Sequence, residues 1–314
     1  MILADTRWSG VHGIGRYASE VLPRLSVEWS ALEVGGRPSQ PQDFLRVRRA
    51  PRGASIYSPG YNGFIARIPQ VVTIHDLIHL HPTTPRRSVY AAHYATVLRP
   101  LVRRNRLVLT VSETSKRVIE EWVNDDRVRV VNAGNGLSAA FRIDGPSEAA
   151  DPYFLYVGNL RAHKNLDVVL KALAQTDDCR LVVVMNDRDG AIRRAAEFGV
   201  AERVDVRSGL TDDALAALYR GAVATVFPSL VEGFGLPAAE SIACGTPVIF
   251  WEGCESIAEI SRGQGVSIAD AHDDLEWAHA LSATLADRPQ ASEFAAEYSW
   301  DKTADLVSTT LRER

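Results

Sequence analysis

Two glutamates eight positions apart, Glu232 and Glu240, flank the turn Gly233-Phe234-Gly235-Leu236 in VEGFGLPAAESIACGTPVIF, residues 231–250. Carboxylates accept hydrogen bonds from hydroxyls, and glycine lets backbone N–H groups come close to a ligand. Part of this stretch has a structural reading. Pro237 suits the first turn of a helix, Glu240 falls in or near that turn where the helix dipole favours negative charge, and Gly245 closes the helix. Glu232 and the glycine turn are left without a structural task. A second group, Arg161, His163 and Lys164, lies in YVGNLRAHKNLDVV between a strand-like and a helix-like run. A guanidinium fork beside an ammonium would neutralise a diphosphate, and a solvated basic loop accounts equally well for the spacing. Gly10, Gly13 and Gly15 follow the first strand in WSGVHGIGRYASEV. Their G-x-x-G-x-G spacing is not the dinucleotide pattern; alone it reads as a turn, and its place between a strand and a helix favours phosphate near the helix N-terminus.

Histidines and aspartates offer two further constellations. In VVTIHDLIHLHP, His75 ends an apolar strand, where it is placed to face a cleft. Asp76, His79 and His81 lack the partners of a zinc site, so His79 and His81 read as structural or exposed. Asp187 and Asp189 form the D-x-D spacing that holds a divalent metal in some transferases. Flanked by Asn186 and Gly190 after a strand, they are better explained as turn chemistry.

The elements that must carry these groups alternate. Short β-branched runs (MILA, ASIYS, QVVTI, RLVLTV, VRVVN, then YFLYVG, RLVVVM, RVDV, ATVFP, PVIF) are interleaved with runs of helical period. That is the pattern of βαβ units and parallel sheets. Ser112 is placed to cap a helix over ETSKRVIEEW. The stretch RIDGPSEAADP, residues 142–152, reads as a linker. The expected architecture is α/β, with two doubly wound domains, 1–145 and 146–314, and a ligand cleft between them.

At 314 residues, with 46% hydrophobic and 24% charged side chains, the chain has an ordinary globular composition. No apolar run reaches the length of about 20 that crosses a bilayer, and MILADTRWSG is too short and polar for a signal peptide. Cys179, Cys244 and Cys254 show no paired or metal-like spacing, which suits a reducing compartment. A cytoplasmic protein is expected. Residues 1–150 hold 20 Lys and Arg against 13 Asp and Glu, a balance of +7, and the remainder holds 15 against 26, a balance of −11. Arginines cluster at Arg46, Arg48, Arg49 and Arg52 and at Arg99, Arg103, Arg104 and Arg106, and on a helix Arg99, Arg103 and Arg106 would share a face by their spacings of four and three. Without a zinc finger, helix-turn-helix or aromatic RNA signature, nucleic acid is not the expected partner. A solvated face and peripheral contact with an anionic membrane both remain as readings of the basic half.

SGVHGIGRY, VVTIHD, TVSETSK, YVGNLRAHKN, VFPSLVEGFGLPAAESIACGTPVI and YSWDKTA run in that order along nearly the whole chain. Together they resemble the family-4 retaining glycosyltransferases of the GT-B fold, most specifically through the E-x7-E element. The resemblance implies two Rossmann-like domains facing across a cleft, with the C-terminal helix returning to the N-terminal domain. It implies that Glu240 binds ribose hydroxyls of the donor nucleotide and that Glu232 contacts hydroxyls of the transferred sugar. The Gly233-Phe234-Gly235-Leu236 backbone then faces sugar and phosphate, Gly13 and Gly15 approach the donor, and His75 positions a sugar hydroxyl. Lys164 matches the diphosphate lysine of the family. Where many members carry arginine directly after the strand's glycine, this chain has Asn159, and Arg161 takes that part. The implied reaction is transfer of a sugar, mannose favoured, from a nucleotide diphosphate sugar such as GDP-mannose to a saccharide or lipid-diphosphate-saccharide. It proceeds with retention and needs neither metal nor cofactor. A sugar-nucleotide epimerase and an inactive nucleotide-sugar-binding subunit remain as alternatives.

Overall fold

The computed structural model describes all of residues 1–314 except 11, 12, 39, 41, 48, 49, 149, 150, 288–297 and 314. Arg48 and Arg49 of the first basic cluster therefore lie outside the described residues. The chain divides into two compact units, Met1–Gly136 with Tyr298–Arg314, and Leu137–Glu297.

The first unit begins with β1 (Ile2–Ala4), α1 (Ile14–Val21), β2 (Trp29–Ala31), β3 (Ser55–Ser58) and β4 (Gln70–Val72). It continues with α2 (Arg87–His93), α3 (Arg99–Asn105), β5 (Leu107–Thr110), α4 (Glu113–Val123) and β6 (Arg129–Asn132). Strands run in the order β2-β1-β3-β4, all parallel, and β5 pairs with β6. A parallel bridge between Thr73 and Leu109 extends β4 to β5, and the Ile74 N–H donates to the Leu109 carbonyl at 2.8 Å. QVV and LVLT are buried along their whole length, as expected for parallel strands covered on both faces. Ser112 caps α4 as its sequence predicts, its side chain accepting from the Ser115 N–H at 2.9 Å.

The second unit comprises β7 (Phe154–Val157), α5 (Leu166–Ala174), β8 (Leu181–Val184), α6 (Arg188–Glu197), β9 (Val204–Arg207) and α7 (Asp212–Gly221). These are followed by β10 (Ala224–Phe227), α8 (Leu236–Ala243), β11 (Val248–Trp251), α9 (Glu255–Ser261), β12 (Val266–Ile268) and α10 (Asp274–Asp287). Its sheet is wholly parallel, in the order β12-β11-β10-β7-β8-β9. Growth from β7 runs outward through β8 and β9, then restarts on the other side with β10. The loops leaving β7 and β10 thus separate in opposite directions, and the opening between them is where such sheets bind ligands.

The last helix, α11 (Trp300–Arg312), belongs to the first unit, as the fold resemblance implies. Val307 and Leu311 are buried, and Ser308 Oγ accepts from the Ser26 N–H at 2.9 Å. The division falls at Gly136 and Leu137 rather than at 145, and the terminal helix is not part of the second unit. The reason lies in residues 137–146, which anchor to α7. Phe141 meets Tyr219 edge to face at 5.9 Å, and the Arg220 guanidinium donates to the carbonyls of Ala140, Arg142 and Pro146. No helix of the described residues is long and apolar enough to cross a membrane.

Candidate functional site

In the second unit the loops after β7 and β10 are joined twice. The Leu230 N–H donates to the His163 carbonyl at 2.7 Å, and Lys164 Nζ lies 2.6 Å from Glu232 Oε1. Both side chains of this ion pair are largely buried, at 14% and 11% exposure. Lys164 Nζ also stands 5.6 Å from the centroid of Phe227, the last residue of β10. The lysine is held in place by Asn165, which adopts the left-handed conformation and donates through its side chain to the Ala271 carbonyl at 2.8 Å. Tertiary structure therefore brings together, at the fork of the sheet, two of the residues singled out from separate motifs. Arg161 is not part of that contact. Its side chain is exposed, with no hydrogen bond or ion pair among the described residues, and its N–H is held in an Asx turn by Asn159 Oδ1 at 3.0 Å.

Gly233 to Gly235 carry the chain from Glu232 into α8, and all three residues are buried. Gly235 caps α8 at φ 100°, and a Cβ there would strike the side chain of Ile257. Only glycine fits on both counts. No side-chain hydrogen bond caps the start of α8, which follows directly on the Gly233–Gly235 turn. Pro237 occupies the first turn and Gly245 lies just past the C-terminal end at φ 78°, as expected.

Glu240 departs from its sequence reading. It lies beyond the first turn of α8, where the dipole argument no longer holds. What holds it is Tyr219 of α7, whose hydroxyl donates to Glu240 Oε2 at 2.9 Å. Burial, and the carboxylate beside it, push the Tyr219 phenol well above its ordinary pKa, so it stays a donor. Tyr219 was missed by motif reading. Its only signal is a lone aromatic hydroxyl in the alanine- and leucine-rich DDALAALYRG.

The remaining predicted residues lie in the first unit. Gly13 caps α1 at φ 55° and ψ −124°. Gly15 is buried in the first turn, and a Cβ there would lie 2.5 Å from the Ser9 carbonyl oxygen, so this glycine serves the packing of its own loop. Tyr17 on the same helix meets the His75 ring edge to face at 4.8 Å. His75 Nε2 lies 2.9 Å from the Pro59 carbonyl, and its own carbonyl accepts from Ser115 Oγ at 2.8 Å. A carbonyl can only accept, so Nε2 carries the proton and Nδ1 is left as an acceptor. Burial lowers the His75 pKa to about 4 against the opposing effect of the Pro59 contact.

The imidazole is therefore neutral in the folded chain down to about pH 4, whereas in the unfolded chain it protonates near pH 6.5. Between those values the unfolded state binds the extra proton, so stability falls as pH drops through that window and is intact above it. The expected loss at pH 5 is about 1–2 kcal/mol, allowing for screening of a partly exposed ring. Thermal unfolding of the parent and of His75→Asn at pH 7 and pH 5 checks this. The acid-induced drop in Tm should be smaller in the variant, and equal drops would refute the assignment.

Other candidates have structural tasks. Asp187 caps α6 by accepting from the Gly190 N–H at 3.0 Å. Among the described residues no group of three His, Cys, Asp or Glu is placed to hold a metal. His79 stacks on Tyr90 at 4.5 Å, and His81 Nδ1 lies 2.8 Å from Thr83 Oγ1. In the second basic cluster Arg103 donates to the carbonyls of Val123 and Asn124 at the end of α4, and Arg99 lies over the Trp122 ring at 5.2 Å. Arg106 is the left-handed cap of α3 rather than a helical residue, so the three do not form the single helical face that their spacing suggests.

The sequence matches the family described as glycosyl transferases group 1 over residues 139–298, and that described as Glycosyltransferase Family 4 over residues 53–135. It is 27% identical over 252 residues to the O-antigen chain mannosyltransferase RfbU of Salmonella typhimurium, covering 78% of this chain and 69% of that protein. It is likewise 27% identical over 224 residues to the D-inositol 3-phosphate glycosyltransferase of Mycolicibacterium smegmatis, covering 65% of this chain and 51% of that one. The chain thus spans about half the length of several of the curated relatives it matches. Among solved structures, WaaG, a glycosyltransferase involved in lipopolysaccharide biosynthesis, superposes with a TM-score of 0.61 at 14% identity, over 98% of this chain and 95% of that one. The lipopolysaccharide outer core galactosyltransferase WaaB gives 0.60 at 13% identity, over 100% and 99%. The E-x7-E loop and helix, the lysine at the fork and these matches agree, and the chain belongs to the group 1 glycosyl transferases of family 4, with the GT-B fold.

Proposed function

We propose that this protein is a retaining glycosyltransferase that moves a sugar, mannose foremost, from GDP-mannose or a related nucleotide sugar to a saccharide or lipid-diphosphate-saccharide acceptor. The observation that carries the reading is the buried contact of Lys164 with Glu232 at the mouth of the β7 and β10 fork. The mannosyltransferase name of the Salmonella relative supports the choice of sugar.

Breaking the sugar–phosphate bond builds negative charge on the departing diphosphate and positive charge on the anomeric carbon. An ammonium has three N–H donors, and Glu232 takes one from Lys164, which leaves donors for phosphate oxygens. The second oxygen of Glu232 is then available to accept from a hydroxyl of the transferred sugar. Arg161 joins from its exposed loop, and the N–H groups at the start of α8 add fixed dipoles. Glu240, held by Tyr219, accepts from the ribose hydroxyls. His75 offers Nδ1 to a sugar hydroxyl. The departing phosphate oxygen takes the acceptor's proton on the face it leaves, so the new bond forms with retention and no protein base is required.

Release of GDP from GDP-mannose that depends on added acceptor tests the reading, and the anomeric coupling in the product reports retention. An epimerase would alter the donor sugar without acceptor, and an inactive subunit would bind the nucleotide without turnover. With Lys164 and Arg161 supplying the cationic charge and Asp187 engaged as a helix cap, activity is expected to persist in excess EDTA. Loss of activity restored by Mg²⁺ or Mn²⁺ would return Asp187 and Asp189 to the site. Peripheral membrane contact belongs to this proposal in reduced form, carried by the exposed Arg52, Arg104 and Arg106, and co-sedimentation with anionic vesicles at low salt checks it.

A further inference from the structure

We propose that the partly exposed rings of Trp8, Tyr61 and His79 form a stacking subsite for an uncharged saccharide on the first unit. The inference rests on the glycosyl-transfer reading for its view of that saccharide as the acceptor.

The three residues lie on three loops, each leaving the C-terminal end of a strand: Trp8 after β1, Tyr61 after β3 and His79 after β4. Those strands are adjacent in the sheet, so the loops share its ligand-binding edge. Ring centroids are 5.3 Å apart from Trp8 to Tyr61 and 4.8 Å apart from Tyr61 to His79, each pair tilted by 57°. Tyr90 continues the strip, stacked on His79. Tyr94 is fully buried against Tyr61 and His79, and elsewhere in this unit Tyr17, Tyr57 and Phe64 are fully buried, whereas the rings of the strip stay partly open. An aromatic face is negative and attracts the positively polarised C–H patch of a sugar ring, while polar tips at the ring edges serve its hydroxyls.

Beneath Trp8 lies a buried polar network that fixes its position. The indole N–H donates to Asn62 Oδ1 at 2.5 Å, and that oxygen also accepts from Ser58 Oγ at 2.5 Å. Asn62 Nδ2 donates to Asp5 Oδ2 at 2.7 Å, and Arg7 bridges Asp5 and Asp43, each at 2.6 Å. Asp5, Asp43 and Asn62 are almost wholly buried. The Gly60 backbone lies against the indole so closely that a Cβ would collide with the ring. Burying ions is a poor route to stability, because an apolar set of equal volume serves as well. A fully satisfied network does hold a single orientation, and here its outermost member is Trp8. Its charges balance, with Asp5 and Asp43 facing Arg7 and Arg46. The strip therefore suits a neutral ligand, not a diphosphate.

Saturation-transfer NMR with α-mannobiose, maltose and cellobiose, each free and as a lipid-diphosphate glycoside, tests the proposal. At least one disaccharide should bind the parent protein in the millimolar range. Trp8→Ala and Tyr61→Ala should each weaken that binding about tenfold, and Trp8→Phe should stay within about threefold. GDP affinity, measured alongside as a check on folding, should not change. Binding of no disaccharide, or full affinity in both alanine variants, overturns the subsite. A loss confined to the lipid-linked forms overturns it too, because the strip would then be reading the lipid. Failure of glycosyl transfer shows separately, as absence of acceptor-dependent GDP release from the parent protein.

Discussion

Lys164→Ala should lower kcat about 10²–10³-fold with little change in the KM for donor, the scale of losing one preorganised charge at a developing anion. Charge on the departing diphosphate grows toward the transition state, so the ammonium stabilises that state more than the bound donor. Lys164 also neutralises Glu232, and removing it leaves a carboxylate with 11% exposure unpaired. Loss of one partner of a buried pair costs about 3–5 kcal/mol when fully buried, and less here, so Tm should fall as well. The double variant Lys164→Ala/Glu232→Gln separates the two effects. It should recover much of the stability and none of the turnover. Turnover restored in the double variant would limit Lys164 to neutralising its neighbour. Full kcat in the single variant with only a raised KM would remove it from leaving-group stabilisation.

The second large effect is expected at Glu240. Glu240→Ala should weaken binding of GDP and of donor about 10–100-fold, the equivalent of roughly 1.5–3 kcal/mol for a hydrogen bond to a charged group. A ribose clamp acts alike in ground and transition states, so kcat at saturating donor should change little. Tyr219→Phe should give a smaller loss in the same direction, since it removes only the hydroxyl that holds Glu240 at 2.9 Å. Calorimetric titration with GDP reads both variants. An affinity unchanged in Glu240→Ala takes that residue out of the nucleotide site, and a lowered kcat with normal affinity would give it a chemical role instead.

Much of this was legible along the chain because it is short-range physics. The capping of α4 by Ser112 needs only the residues of one helical turn. Pro237 and Gly245 mark the ends of α8 for the same reason. Strands such as LVVV and VIFW are apolar throughout because helices cover both faces of a parallel sheet, so the run itself announces its setting. Asp187 and Asp189 were less legible: read along the chain as a turn, they instead open α6, Asp187 as its cap and Asp189 in its first turn.

Tertiary structure decided which of these pieces meet. Lys164 and Glu232 are 68 residues apart and touch because β10 returns beside β7. Glu240 is oriented by Tyr219, 21 residues away on another helix, and not by the end of its own helix. Spacing alone placed Arg99, Arg103 and Arg106 on one face, yet Arg103 satisfies the carbonyls that end α4 and Arg106 leaves the helix altogether. The first unit could not be bounded from composition either, since Tyr219 and Arg220 hold residues 137–146 to the second unit while α11 returns to the first. Caps, turns and burial patterns are set by neighbours within a turn or a strand. Pairings across the sheet are set by strand order, which minimises exposed apolar surface over the whole unit and leaves no trace in local spacing.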